Sequence, residues 1–236
     1  MSKTVWIIFA AVCVLLLGTL VALSNGKKVD VSNVNTGEVQ TATEQSGNIA
    51  DHVFGNADSK VILVEYGDFQ CPGCGGAHPT VKALSEKYED EIAFVFRNFP
   101  LTSIHPNALA AAAAAEAAGL QGMYWEMHNK LFENQDAWSN ISATDRTEFF
   151  ANYAKELGLD VETFKTDLAS EAVSKKISFD MALGKKAGAT GTPAFYLNGE
   201  VIEQPVWSDP AKFEAAITDA LKEKNIPLPE EEASGE

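Results

Sequence analysis

Val61-Ile62-Leu63-Val64-Glu65-Tyr66-Gly67-Asp68-Phe69-Gln70-Cys71-Pro72-Gly73-Cys74 is an apolar, β-branched run that ends in a C-x-x-C. The run predicts a buried strand. Gly67 and Asp68 break it, and Gly75 to Leu84 then predicts a helix. The two cysteines therefore sit where a strand hands over to a helix N-terminus. The first turn of a helix has unpaired N–H groups and carries the positive end of the macrodipole. A thiolate placed there is stabilised, and its pKa falls below the unperturbed ~8.5. Cys71 is expected at the N-cap with its sulfur exposed. Pro72 fits the first helical position, where its missing N–H costs nothing. Cys74 follows one turn on, on the same face. Such a pair can close into a disulfide and reopen with little movement of the backbone. A structural disulfide or two metal ligands is the alternative reading. A staple across so short a loop removes little unfolded-state entropy, so redox chemistry is the preferred reading.

Further features converge on this stretch. Glu65 lies in the middle of the apolar run, where an acid is costly unless it has a task. Pro79 lies inside the predicted helix and should kink it. Far downstream, Gly188-Ala189-Thr190-Gly191-Thr192-Pro193-Ala194-Phe195-Tyr196-Leu197-Asn198-Gly199 reads as a turn, a proline, a short strand and a hairpin signal. A long helical stretch separates the two segments. Together these features resemble the thioredoxin superfamily and, more narrowly, its DsbA-like branch, over about Ile49 to Asn225. The resemblance implies an α/β thioredoxin fold, a central mixed sheet flanked by helices, interrupted by an all-helical insert. It implies that Cys71 attacks, that Cys74 resolves and that Glu65 is the family's buried acid. It also implies that Thr192-Pro193 is a cis peptide facing the redox pair, with the Thr192 backbone turned outward to pair with an extended substrate. Pro72-Gly73 stands where the family tunes its potential, and departs from the Pro-His of the best-known oxidase and the Gly-Pro of thioredoxin.

The 236 residues are 46% hydrophobic, enough for a real core, and carry a net charge of −15. With a pI near 4.6 and no Lys/Arg-rich run, nucleic acid is excluded as a partner class. The acidity favours solubility. There are three cysteines, and the third, Cys13, lies in an apolar run, so no further pair exists for structural disulfides.

Val5 to Leu23 is 19 residues without a charge, close to the length that spans the ~30 Å hydrocarbon core. Residues 1–24 are expected to be a transmembrane anchor or a signal. Ala22-Leu23-Ser24 could be a cleavage site, but the run exceeds an ordinary 7–15-residue signal core, which favours an uncleaved anchor. Residues 25–48, polar and poor in large apolar groups, are expected to be a flexible linker. Residues 49–102 should form the first part of the thioredoxin fold, 103–187 the helical insert, 188–225 the second part, and 226–236 an acidic disordered tail. Ile92 to Pro100 reads as the next strand, parallel to the first. The alanine-rich Asn107–Ala118, the amphipathic Met123–Phe132, and Thr144–Leu157 read as helices. Asp160 and Asp209-Pro210 are expected caps. His52 reads as a surface residue. His105 and His128 read as ordinary residues without metal-ligand spacing around them.

The function that follows from the resemblance is a thiol:disulfide oxidoreductase, an enzyme acting outside the cytoplasm, single-pass in the plasma membrane of a bacterial-type envelope. Its implied role is an oxidase passing the Cys71–Cys74 disulfide to reduced, unfolded secreted or surface proteins. A membrane quinone-linked thiol oxidase would recycle it. No cofactor or metal is expected. Within the same fold the rival is a reductase or isomerase. From other classes the rivals are a metal carrier using Cys71, Cys74 and His78, which are spaced C-x2-C-x3-H, and a binding module that no longer catalyses.

Overall fold

The computed structural model describes residues 29–229, together with Val5, Trp6, Phe9, Val12 and Cys13. The chain divides into two compact units, Met1–Asp30 and Val31–Glu236. In the first, the described residues are helical between Val5 and Cys13. The rest of the expected span Val5–Leu23, with Ala22-Leu23-Ser24, lies outside the described residues. Among those described, no helix is long and apolar enough to cross a membrane.

The second unit is built on one five-stranded sheet. Strand β1 (Val53–Gly55) precedes β2 (Ile62–Gly67), helix α1 (Pro72–Lys87) and β3 (Ala93–Asn98). Helices α2 (Ala108–Gly119), α3 (Tyr124–Glu133), α4 (Gln135–Trp138), α5 (Arg146–Glu156), α6 (Val161–Leu168) and α7 (Glu171–Ala187) follow. Strands β4 (Ala194–Leu197) and β5 (Glu200–Ile202), then α8 (Gln204–Trp207) and α9 (Pro210–Glu223), complete the unit. The sheet order is β1-β3-β2-β4-β5. β2 and β3 run parallel, joined by α1, while β4 is antiparallel to β2 and β5 antiparallel to β4. This is the mixed thioredoxin-like sheet with a helical insert. β2 is central, so it is covered on both faces and reads as an unbroken apolar run. Its register places Glu65 opposite both Phe96 and Phe195.

The insert closes over the sheet through small residues. α2 buries Ala111, Ala112, Ala114, Ala115, Ala117 and Ala118, and side chains of that size let neighbouring helices approach closely. The Met and aromatic stripe of α3 packs inward: Tyr124, Met127, His128, Leu131 and Phe132 are buried. The caps are local. Asp160 accepts from the Thr163 N–H at 2.7 Å, and Asp209 accepts from Ala211 and Lys212 behind Pro210. α1 continues through Pro79 to Lys87.

Two expectations are corrected here. The flexible linker assigned to 25–48 does not describe residues 31–48. Lys186 Nζ donates to the carbonyls of Val31, Ser32 and Val34 at 2.9, 2.7 and 2.6 Å. Arg97 donates to the carbonyls of Thr36 and Glu38, each at 2.6 Å. The polar segment buries little apolar surface of its own, so it is ordered by cations of the domain rather than by a core. His52 is not a free surface residue either. Its Nε2 lies 3.0 Å from Glu116 Oε2, and its ring stacks on Tyr124 at 3.8 Å. Of the acidic tail, Ile226 packs against the core, and residues 230–236 lie outside the described residues.

A buried ionic cluster joins these parts. Asp51 takes Arg97 on Oδ2 at 2.7 Å and Lys176 on Oδ1 at 3.0 Å. Lys176 also meets Asp180 at 2.6 Å, and Asn98 donates to both Glu116 and Asp180. The paired cations hold the Asp51 carboxyl below its ordinary range despite burial, while burial lifts Asp180 to about 6.

Candidate active site

The strand-to-helix corner is held by Asp68. Its Oδ1 accepts from Gln70 N at 2.8 Å, and its Oδ2 accepts from Leu101 N at 2.8 Å and faces His105 Nδ1 at 2.7 Å. Its carbonyl accepts from Cys71 N at 3.0 Å. Cys71 is the N-cap of α1, in extended conformation, with Pro72 directly after it. No side chain caps this helix, so the sulfur stands where a capping oxygen would stand elsewhere. The sulfur is less exposed than the sequence suggested: Cys71 is 8% accessible and Cys74 1%. The cover is the Thr192–Pro193 segment, whose peptide bond is cis. Cys71 Sγ lies 3.4 Å from the Thr192 carbonyl oxygen. A Cβ on Gly73 would stand 3.2 Å from Pro193 Cδ, so glycine in the dipeptide lets the proline come this close. Residues more than a hundred positions apart are thus brought to one sulfur.

The two thiols are in their free form, and their surroundings drive them apart. The Cys74 thiol, hydrogen-bonded to the Cys71 sulfur, is the main cause that lowers Cys71 to about 5. Burial opposes this, and the Thr192 side chain and the Cys74 and Gly73 N–H groups support it. Among the described residues the Thr192 hydroxyl has no other partner. A thiolate cannot donate to the Thr192 carbonyl, so in that state the hydroxyl is the group able to turn toward sulfur. Burial pushes Cys74 well above its ordinary value, and its neighbours Cys71 and Glu65 add to this. Burial also raises Glu65 to about 8, although a hydrogen bond with Cys74 pulls the other way. These shifts favour the thiolate at Cys71 and the protonated forms of Cys74 and Glu65.

His78 does not join the cysteines. It stacks on Phe132 at 5.0 Å and meets His128 at 5.5 Å, and burial lowers both imidazoles, to about 4 and about 3. Among the described residues no three His, Cys, Asp or Glu side chains converge on a metal position. The Cys71, Cys74 and His78 metal carrier is therefore corrected: α1 turns His78 into the aromatic packing with α3. Sequence reasoning missed the polar clasp around the corner. Gln70 receives the Asn107 N–H and donates to the Ser139 carbonyl, and Gln135 donates to the carbonyls of Phe69 and Cys71. Nothing in the spacing of these residues announces it.

The profile of the family described as Thioredoxin matches residues 47–219. The chain belongs to the thioredoxin family. Oxidised BdbD from Bacillus subtilis superposes with a TM-score of 0.64 at 25% identity, over 80% of this chain and all (100%) of that one. MdbA of Corynebacterium diphtheriae, a thiol-disulfide oxidoreductase, shares the fold at TM-score 0.58 and 21% identity, over 83% of this chain and 99% of that one. Within that family the paired cysteines, the buried acid and the cis-proline make the site resemble that of the DsbA-like branch, whose fold this chain shares. A curated relative, Na(+)/H(+) antiporter NhaA 1 of Salinispora arenicola, is 41% identical over 149 residues, 63% of this chain. The match covers only 22% of that protein.

Proposed function

We propose that the enzyme is an oxidase, giving the Cys71–Cys74 disulfide to thiols of unfolded secreted or surface proteins. The observation that supports this direction is the lowering of Cys71 to about 5. Stabilising that thiolate stabilises the reduced protein, and the disulfide becomes the stronger oxidant by about 30 mV for each ~1.4 kcal/mol. A substrate thiolate attacks Cys71 Sγ, the S–S bond breaks, and Cys74 leaves. Glu65, protonated and hydrogen-bonded to Cys74, can supply the proton that Cys74 takes up. The substrate's second thiolate then attacks its own sulfur in the mixed disulfide and releases Cys71 as a stable thiolate. Two electrons pass from the substrate dithiol to the enzyme.

The expected setting is outside the cytoplasm, tethered by Val5–Leu23, with a membrane quinone-linked thiol oxidase taking the electrons onward. The charge-free span and the redox chemistry support it, since disulfides persist in oxidising compartments. Equilibration with glutathione buffers tests the direction: a potential near that of DsbA, ~−120 mV, is expected, and one near thioredoxin's ~−270 mV overturns the oxidase in favour of a reductase. Membrane-impermeant thiol reagents on intact cells should label Cys71, and labelling only after lysis would overturn the topology.

A further inference from the structure

We infer that Gln135, at the start of α4 in the helical insert, is a positioning residue for Cys71, and that Gly75 is the partner that admits it. The inference rests on the thiol–disulfide reading above. Gln135 Nε2 donates to two carbonyls of the redox corner, Phe69 O at 2.7 Å and Cys71 O at 2.9 Å. The second carbonyl also accepts the first hydrogen bond of α1, from Gly75 N at 3.0 Å. Both bonds are made by one side chain from 64 residues away, and they grip the backbone one residue before Cys71's peptide and at Cys71 itself.

The corner needs such a grip. A side chain at the N-cap ordinarily fixes the entry to a helix by accepting from an N–H of the first turn. Here the N-cap is the reactive cysteine and makes no such bond. Its backbone is held from the carbonyl side instead. The N–H groups of Gly73 and Cys74 lower the Cys71 pKa, and they can do so only while the corner keeps the extended N-cap conformation with φ −70° and ψ 122°. Gln135 holds that conformation without touching the sulfur. The approach is possible because position 75 has no side chain. A Cβ there would lie 2.7 Å from Gln135 Oε1 and 3.1 Å from its Nε2. The next glycine, Gly76, faces open space, so crowding singles out Gly75 of the two. The insert is thereby wired to the nucleophile by a donor, beside a cleft lined by Pro72, Gly75, Gly76 and Gln135.

The test compares Gln135→Leu, Gly75→Ala and the double variant with the natural chain, following thiolate absorbance against pH, the potential in glutathione buffers, and thermal melting. Gln135→Leu and Gly75→Ala should each raise the Cys71 pKa and lower the thiolate-to-thiol ratio about three- to tenfold, the scale of one well-made hydrogen bond. The potential should move in the reducing direction. The double variant should do no more than the larger single change, because both act through one contact. A fall in melting temperature with the Cys71 titration unmoved overturns the inference and leaves Gln135 a structural clasp. Additive shifts overturn the pairing with Gly75. If the natural chain itself exchanges no disulfide with glutathione, the oxidoreductase reading fails instead, while the titration of Cys71 still reports on Gln135.

Discussion

At the residue scale, three neighbours divide two protons according to burial and hydrogen bonding. Glu65 is fully buried between Phe96 and Phe195, with Oε1 lacking a partner. Its folded pKa of about 8 lies above the ordinary 4.5, so its stability contribution is whole below that ordinary value and is lost as pH rises through 8. Glu65→Gln removes the loss. In urea melts of the reduced protein, the variant should gain about 2–4 kcal/mol over the natural chain at pH 8 and little at pH 5. An equal gain at both values would mean that ionisation is not the cause. Cys71 has the opposite sign. Its depressed pKa adds stability to the reduced form above the ordinary thiol value, and that stability is lost as pH falls through about 5. Cys74→Ala deletes the donor that most lowers Cys71, so thiolate absorbance should titrate at higher pH in that variant. Cys74→Ser removes the resolving sulfur, and mixed disulfides through Cys71 should accumulate on non-reducing gels. Equal trapping by Cys71→Ser would overturn the assigned roles.

At the element scale, α1 is a poor helix by propensity, with glycines at 73, 75 and 76 and a proline at 79. Two of these glycines have a steric reason, one against Pro193 and one against Gln135. Gly76 has none, since a Cβ there would meet nothing within 4 Å. Gly76→Ala should therefore stabilise the protein by about 0.5–1 kcal/mol, read as a rise in melting temperature. Gly67→Ala should do the reverse, because its Cβ would run into the Phe96 ring. The helices and central strands were legible in the sequence because apolar periodicity, Asp caps and glycine stops are local signals. The short β1 and the single-turn α4 and α8 were not legible. Elements of three or four residues carry no period, and pairing with β3 alone makes β1 a strand.

At the scale of the whole molecule, the buried ionic cluster binds the leading segment, the sheet and the insert together. Asp51, Arg97, Lys176 and Asp180 come from three separate stretches of chain and are buried. Lys176→Met leaves Asp51 with Arg97 and the Gln40 N–H and takes from Asp180 the cation it meets, and should cost about 3–5 kcal/mol in denaturant melts. A chain beginning at Ile49 strips Arg97 of the Thr36 and Glu38 carbonyls. It should melt well below a chain beginning at Val29, since a buried guanidinium then lacks two of its acceptors. Equal melting of the two chains would show that residues 31–48 are dispensable to the fold.

By itself, the sequence determined the redox pair at a helix N-cap and the acid buried in an apolar strand, each from a short-range pattern: C-x-x-C at a strand-to-helix break and a carboxylate within an apolar run. The thioredoxin-like sheet with its helical insert and the proline that faces the pair were legible only through the resemblance to the DsbA-like branch. Tertiary structure alone decided the rest. It showed that Cys71 is nearly covered, that residues 31–48 belong to the domain, that His78 faces aromatic rings, and that Gln135 holds the nucleophile's backbone. The physical reason is common to all four: each is a contact between stretches far apart in the chain. A hydrogen bond or an ion pair forms wherever the folded chain places donor and acceptor within about 3 Å. Its partners need no spacing in sequence, and a lone Gln, Arg or Lys carries no mark of the carbonyl it will find.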